Sequence, residues 1–140
     1  MKRIISLVIV MIILLSFGMN VFAETDETLT VEISPMYIHI MTLSAYIGID
    51  NLGIATCSGN MTQGLSSGSC ELIMNLQKLD SDNNWNTIAT WTKEGIMKCA
   101  NEQFRAVSKG TYRLSVTGKV YNSSGNLIET EIVNSISRTY

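Results

Sequence analysis

Residues that build metal centres and disulfide scaffolds are scarce here: the 140-residue chain has one histidine, one proline and three cysteines. The single imidazole, His39, has no partner at HxH or HExxH spacing, so no metal ligand set is expected. Three cysteines are too few for a disulfide-dense mini-protein. Charge is also sparse, with 10 basic and 12 acidic residues scattered along the chain. That mild acidity argues against a phosphate-wrapping surface, and no nucleic-acid partner is expected. Serine is plentiful, but Gly-x-Ser-x-Gly does not occur, and Leu65-Ser66-Ser67-Gly68 has the composition of a loop. Asp80-Ser81-Asp82-Asn83-Asn84 opens like a calcium loop, yet Trp85 and Trp91 stand where the glycine and the closing glutamate belong. Glu129 and Glu131 have the spacing of a carboxylate pair but read as solvated edge charges. No catalytic residue, metal or cofactor is therefore expected.

What is present begins with an export pattern. Lys2 and Arg3 precede an apolar run from Ile4 to Leu15, and Val21-Phe22-Ala23 fits the residues before a cleavage point. Gly18 and Asn20 cut the run short of the roughly 20 apolar residues that an anchor needs. A signal peptide over 1–23 is expected, with the cut between Ala23 and Glu24; only an uncleaved segment would hold the chain at a membrane. Cleavage leaves 117 of the 140 residues, and losing Lys2 and Arg3 takes the net charge from −2 to −4. The product would be secreted, or loosely associated with the cell envelope. Residues 24–35 form an acidic, Thr-rich linker ending at Pro35, and the folded domain spans 36–140.

From Met36 onward the dominant period is two. Tyr112, Leu114, Val116, Gly118 and Val120 alternate with Arg113, Ser115, Thr117, Lys119 and Tyr121, the pattern of a half-buried strand. Turn chemistry at Asp50–Gly53, Gln63–Ser67, Asp80–Asn84 and Asn122–Asn126 bounds seven segments near 37–50, 53–62, 69–79, 85–93, 96–106, 111–121 and 127–138. Ile128, Ile132 and Ile136 would also suit a helix face, but the residues between them have weak helix propensity. The sum is an all-β, antiparallel, immunoglobulin-like sandwich of about seven strands.

Lys109-Gly110-Thr111-Tyr112 places a tyrosine at the start of the penultimate strand. In immunoglobulin-like sandwiches a tyrosine there turns inward and bonds to upstream backbone, so the chain resembles bacterial immunoglobulin-like domains. Gly53-Ile54-Ala55-Thr56-Cys57-Ser58-Gly59, Cys70, Leu76-Gln77, Trp85, Ile88, Trp91, Lys109–Tyr112 and Val120–Gly125 together resemble a family of small secreted proteins of unknown function. Its members come from Gram-positive, largely gut-associated bacteria, and the likeness runs from about Tyr37 to Tyr140. The resemblance implies fold and location but no activity.

All three cysteines lie beyond the cleavage point, where a disulfide persists. Cys57 and Cys70 fall on apolar parities and are equidistant from the Gln63–Gly64 turn, which favours a Cys57–Cys70 bridge, with Cys57–Cys99 the alternative. Cys99 is then a buried inert thiol or the route to a covalent dimer. Trp85 and Trp91 share one parity; if Ile88 faces the core, both indoles point outward, with Tyr46 and Tyr121 extending the patch. The competing arrangement buries Trp91 at the core. Function follows one of two lines. The first is a secreted, non-catalytic interaction module meeting an extracellular protein or glycan at the cell envelope or in a host environment. The alternative is a small secreted hydrolase or toxin-like effector, which requires a polar pocket joining His39 to a carboxylate or to Cys99.

Overall fold

The computed structural model describes residues 39–64 and 68–140. The expected signal peptide 1–23 with its cleavage point, the linker 24–35 and the loop residues 65–67 lie outside the described residues. Alternation of apolar and short polar side chains yields eight strands: β1 (Ile40–Ile49), β2 (Ile54–Gln63), β3 (Cys70–Leu79), β4 (Trp85–Gly95), β5 (Lys98–Ala106), β6 (Thr111–Tyr121), β7 (Leu127–Asn134) and β8 (Arg138–Thr139). All pairings are antiparallel. One sheet runs β1-β2-β5; the other runs β4-β3-β6-β7, with β8 also paired to β6. The result is the expected immunoglobulin-like sandwich.

Three hairpins close on one repeated device. Asp50, Asp80 and Asn122 each accept the main-chain N–H groups two and four residues on, through a single side-chain oxygen. Gly53, Asn83 and Gly125, each three residues after the anchor, adopt positive φ, which glycine and asparagine tolerate best. The calcium-like Asp80–Asn84 stretch is one of these turns. Its anchoring oxygen faces backbone donors, which hold the Asp80 carboxyl below its ordinary range, the Asn84 N–H contributing most.

Between the sheets lie Ile47, Ala55, Cys57, Leu72, Met74, Leu76, Leu114, Val116 and Val120, all buried. Burying each larger apolar side chain contributes about 1.5–3 kcal/mol. The sheets interlock through missing side chains. Met74 reaches across to Gly59 and Met61 across to Gly118, so a Cβ at either glycine would fall on the opposing thioether. Where the chain passes from β5 to β6, Tyr112 is buried and its hydroxyl donates to Ser108 O at 2.8 Å, tying the crossover to the core.

The disulfide differs from the expected Cys57–Cys70 pairing: Cys70 bonds Cys99, and Cys57 is a free, buried thiol. The connection from β2 to β3 is a crossover between sheets rather than a tight hairpin, so equal distance from Gln63–Gly64 does not bring the two sulfurs together. Cys70 starts β3, while Cys99 stands beside Met61 near the end of β2, at the same end of the sandwich. Cys57 lies four residues further back along β2. The bridge links the two sheets and takes up the Cys99 sulfur otherwise open to a covalent dimer. Its 29-residue separation corresponds to about 3–4 kcal/mol in the chain-entropy model. The last expected strand is also interrupted. Ser135 Oγ accepts the Leu114 N–H and donates to Ile136 O, so pairing along β6 lapses before β8 resumes it.

Candidate binding face

The two sheets present very different outer surfaces. On the β4-β3-β6-β7 sheet the outward residues of adjacent strands find one another. Glu71 Oε2 accepts from Lys119 Nζ and from Tyr121 OH, both at 2.9 Å. The Lys119 hydrogen bond is the main reason the Glu71 carboxyl sits below its ordinary range, and the same contacts raise Lys119 and Tyr121. Thr90 donates to Asn75, and Gln77 links Thr87 to Arg113. The Arg113 guanidinium lies 4.4 Å from the Trp85 ring centroid.

This arrangement separates the four aromatics expected to share a patch. The β3–β4 register shifts between Leu76 and Gln77, where Ile88 bulges out of the edge strand. Parity inverts across the bulge. Trp91 pairs with Met74 and packs against the core, whereas Trp85 pairs with outward Leu79 beneath Arg113. Tyr121 is on the same outer face, but eight residues along β6 from Arg113, roughly 27 Å by strand rise. Tyr46 stands on the other sheet. The expected Trp85–Trp91–Tyr46–Tyr121 surface is thus not one surface.

The outer face of the β1-β2-β5 sheet is open. Its central strand, β2, carries only short polar side chains over most of its length: Thr56, Ser58, Asn60 and Thr62. Tyr46 rises on one flank and Phe104, 64% exposed, on the other, forming a trough along β2. Thr56 faces Gly48 on β1 and Phe104 on β5. Among the described residues, the hydrogen bond made by this face's side chains is Ser44 Oγ to Asn60 O, a long 3.5 Å. Asn60 Oδ1 is buried and, among the described residues, has no partner. Two depressions open on the trough: one of about 360 Å³ over Ser58, Asn60 and Glu102, and one of about 500 Å³ over Tyr46 and Thr56.

The larger depression wraps the end of β1 and reaches Asp50, Arg138 and Thr139. Tyr46 leans along its own strand, and its hydroxyl lies 2.8 Å from the point a Gly48 Cβ would occupy. Only glycine lets the ring settle there. Arg138 pairs with inward-facing Tyr112 in β8, so its side chain is directed through the gap beside β1 rather than to the outer face of its own sheet. Asp50 also lines the depression, with one oxygen, Oδ1, spent on the Leu52 and Ile54 N–H groups.

The remaining reactive groups are placed elsewhere. Burial pushes the Cys57 thiol up to about 11, which keeps it protonated and unreactive. His39 precedes β1, where its main-chain N–H donates to Glu129 Oε2 at 2.7 Å; Ile40 N does the same at 3.2 Å. Glu129 therefore faces inward as a clamp on β1, not outward as a solvated edge charge. The imidazole lines neither of the two depressions on the trough. Tyr46 keeps the outward parity that its alternation predicts, whereas Arg138 belongs to no motif and its one signal in the sequence is the break in alternation at Ser135-Ile136-Ser137. No family model matches the chain, and no curated protein or solved structure shows significant similarity to it.

Proposed function

We propose that the protein is a secreted, non-catalytic binding module that holds an extracellular saccharide along the outer face of β1-β2-β5. The observation that carries this reading is the trough along β2. Two aromatic side chains flank a strip of hydroxyl and amide groups which, among the described residues, make one long side-chain hydrogen bond, from Ser44 Oγ. A sugar chain matches both features, since its C–H faces stack on rings while its hydroxyls bond to small polar side chains. A protein partner calls for a desolvated apolar centre, whereas the stretch Thr56–Thr62 at the middle of this face presents short polar side chains between the two rings. Secretion rests on the Lys2–Ala23 pattern and agrees with a bridge that survives in oxidising surroundings.

The test is a saccharide array probed with the purified exported protein. Binding to a subset of saccharides is expected, weakened several-fold by Tyr46→Ala and by Phe104→Ala and unchanged by Trp85→Ala. Retention that depends on Trp85 and ignores Tyr46 and Phe104 would assign the wrong sheet; no retention of any saccharide would remove the reading.

A further inference from the structure

Resting on the saccharide reading, we infer that the depression at the end of β1 takes the carboxylate of an acidic sugar, with Arg138 as its counter-charge. Among the described residues, the Arg138 guanidinium forms no salt bridge and no side-chain hydrogen bond; the one salt bridge they contain is Lys119–Glu71. Yet Arg138 is half-buried and projects into a cavity of about 500 Å³. Guanidinium groups taken partly out of water ordinarily find a carboxylate, because two parallel N–H donors match its two oxygens. Among the described residues, no carboxylate lies within salt-bridge distance of Arg138. The carboxylate in the lining, Asp50, is anchored through Oδ1 to its own turn.

The rest of the lining fits a sugar ring rather than a bare anion. Tyr46 offers a ring face steadied over Gly48, and Thr56 and Thr139 add hydroxyls. The Asp50 oxygen not used by the turn can accept from sugar hydroxyls, which a simple inorganic anion could not satisfy. Thr56 belongs both to this depression and to the β2 strip. A chain whose acidic residue sits at Arg138 therefore continues over Ser58 and Asn60 without leaving the surface. Arg138 sets charge specificity, while the trough supplies the remainder of the contact.

Titration calorimetry with short oligomers of galacturonate, glucuronate and mannuronate tests this, each beside its carboxyl-reduced counterpart, in which a primary alcohol replaces the carboxylate. At least one acidic oligomer is expected to bind about tenfold or more tightly than its reduced form, with the advantage shrinking as salt is raised. Arg138→Gln should erase that advantage, so that acidic and reduced chains bind alike, and Arg138→Lys should restore only part of it. The native thermal transition of each variant establishes that it is folded. Equal affinity for acidic and reduced chains would overturn the role of Arg138 and leave the saccharide reading standing. If neither kind of chain binds, and the array retains no neutral saccharide, both inferences fall together.

Discussion

The sandwich has two outer faces built from the same kind of alternating strand, and they have opposite characters. The face of β4-β3-β6-β7 spends its long polar side chains on one another: Glu71 with Lys119 and Tyr121, Asn75 with Thr90, and Gln77 with Thr87 and Arg113. The face of β1-β2-β5 has short groups on its centre strand, rings at its flanks and, among the described residues, almost no internal side-chain hydrogen bonding. A surface that has satisfied itself gains little from a ligand. One that leaves polar groups waiting can exchange water for a partner at small cost. The difference separates a face that contributes to stability from a face available for recognition.

That division can be broken in graded steps. The largest effect belongs to neither face. Replacing Cys70 and Cys99 together by serine should lower stability by about 3–4 kcal/mol in denaturant unfolding, because the bridge staples the two sheets. On the closed face, Arg113→Ala removes a contact with the Trp85 ring and a hydrogen bond to Gln77, and should cost about 1–2 kcal/mol with saccharide binding intact. A loss of binding in that variant would erase the distinction between the faces.

Acid supplies the next step. Glu71 and Asp80 are both held below their ordinary ranges in the folded protein. Their contribution is complete above the unfolded values near about 4 and is lost as pH falls through the lowered native values. Thermal unfolding followed from pH 6 to pH 2 should show this decline, and Glu71→Gln should flatten part of it. Tyr121 has the opposite sign: its raised value makes a contribution that is present below about 10 and lost as pH climbs through the native value. The smallest effect is on the open face. Phe104→Ala should alter stability by no more than about 0.5 kcal/mol, since the ring is 64% exposed, while reducing binding more than any closed-face change.

Most of the architecture was written in local chemistry. Period-two alternation marks β1, β3 and β6 because each has one face in the core, and Asp50, Asp80 and Asn122 mark the hairpins because each can satisfy two backbone donors. Tyr112 stood out by its position after Gly110 at the head of β6. What escaped depends on relations between strands. The disulfide partner of Cys70 is decided by which sheet each strand joins, and alternation is blind to that. The fate of the two tryptophans turns on one extra residue at Ile88, which a count of parities carries straight past. Arg138 entered the candidate site because Ser135 interrupts β6 pairing and the chain resumes beside β1, a consequence of tertiary packing.

Chemical-shift mapping of the isotopically labelled protein, titrated with whichever saccharide it binds most tightly, addresses the division of the two faces most directly. Shifts are expected on Tyr46, Thr56, Ser58, Asn60, Phe104 and Arg138, with the indole signals of Trp85 and Trp91 unmoved. Shifts centred on Trp85, Arg113 and Tyr121, with β2 silent, would contradict that division.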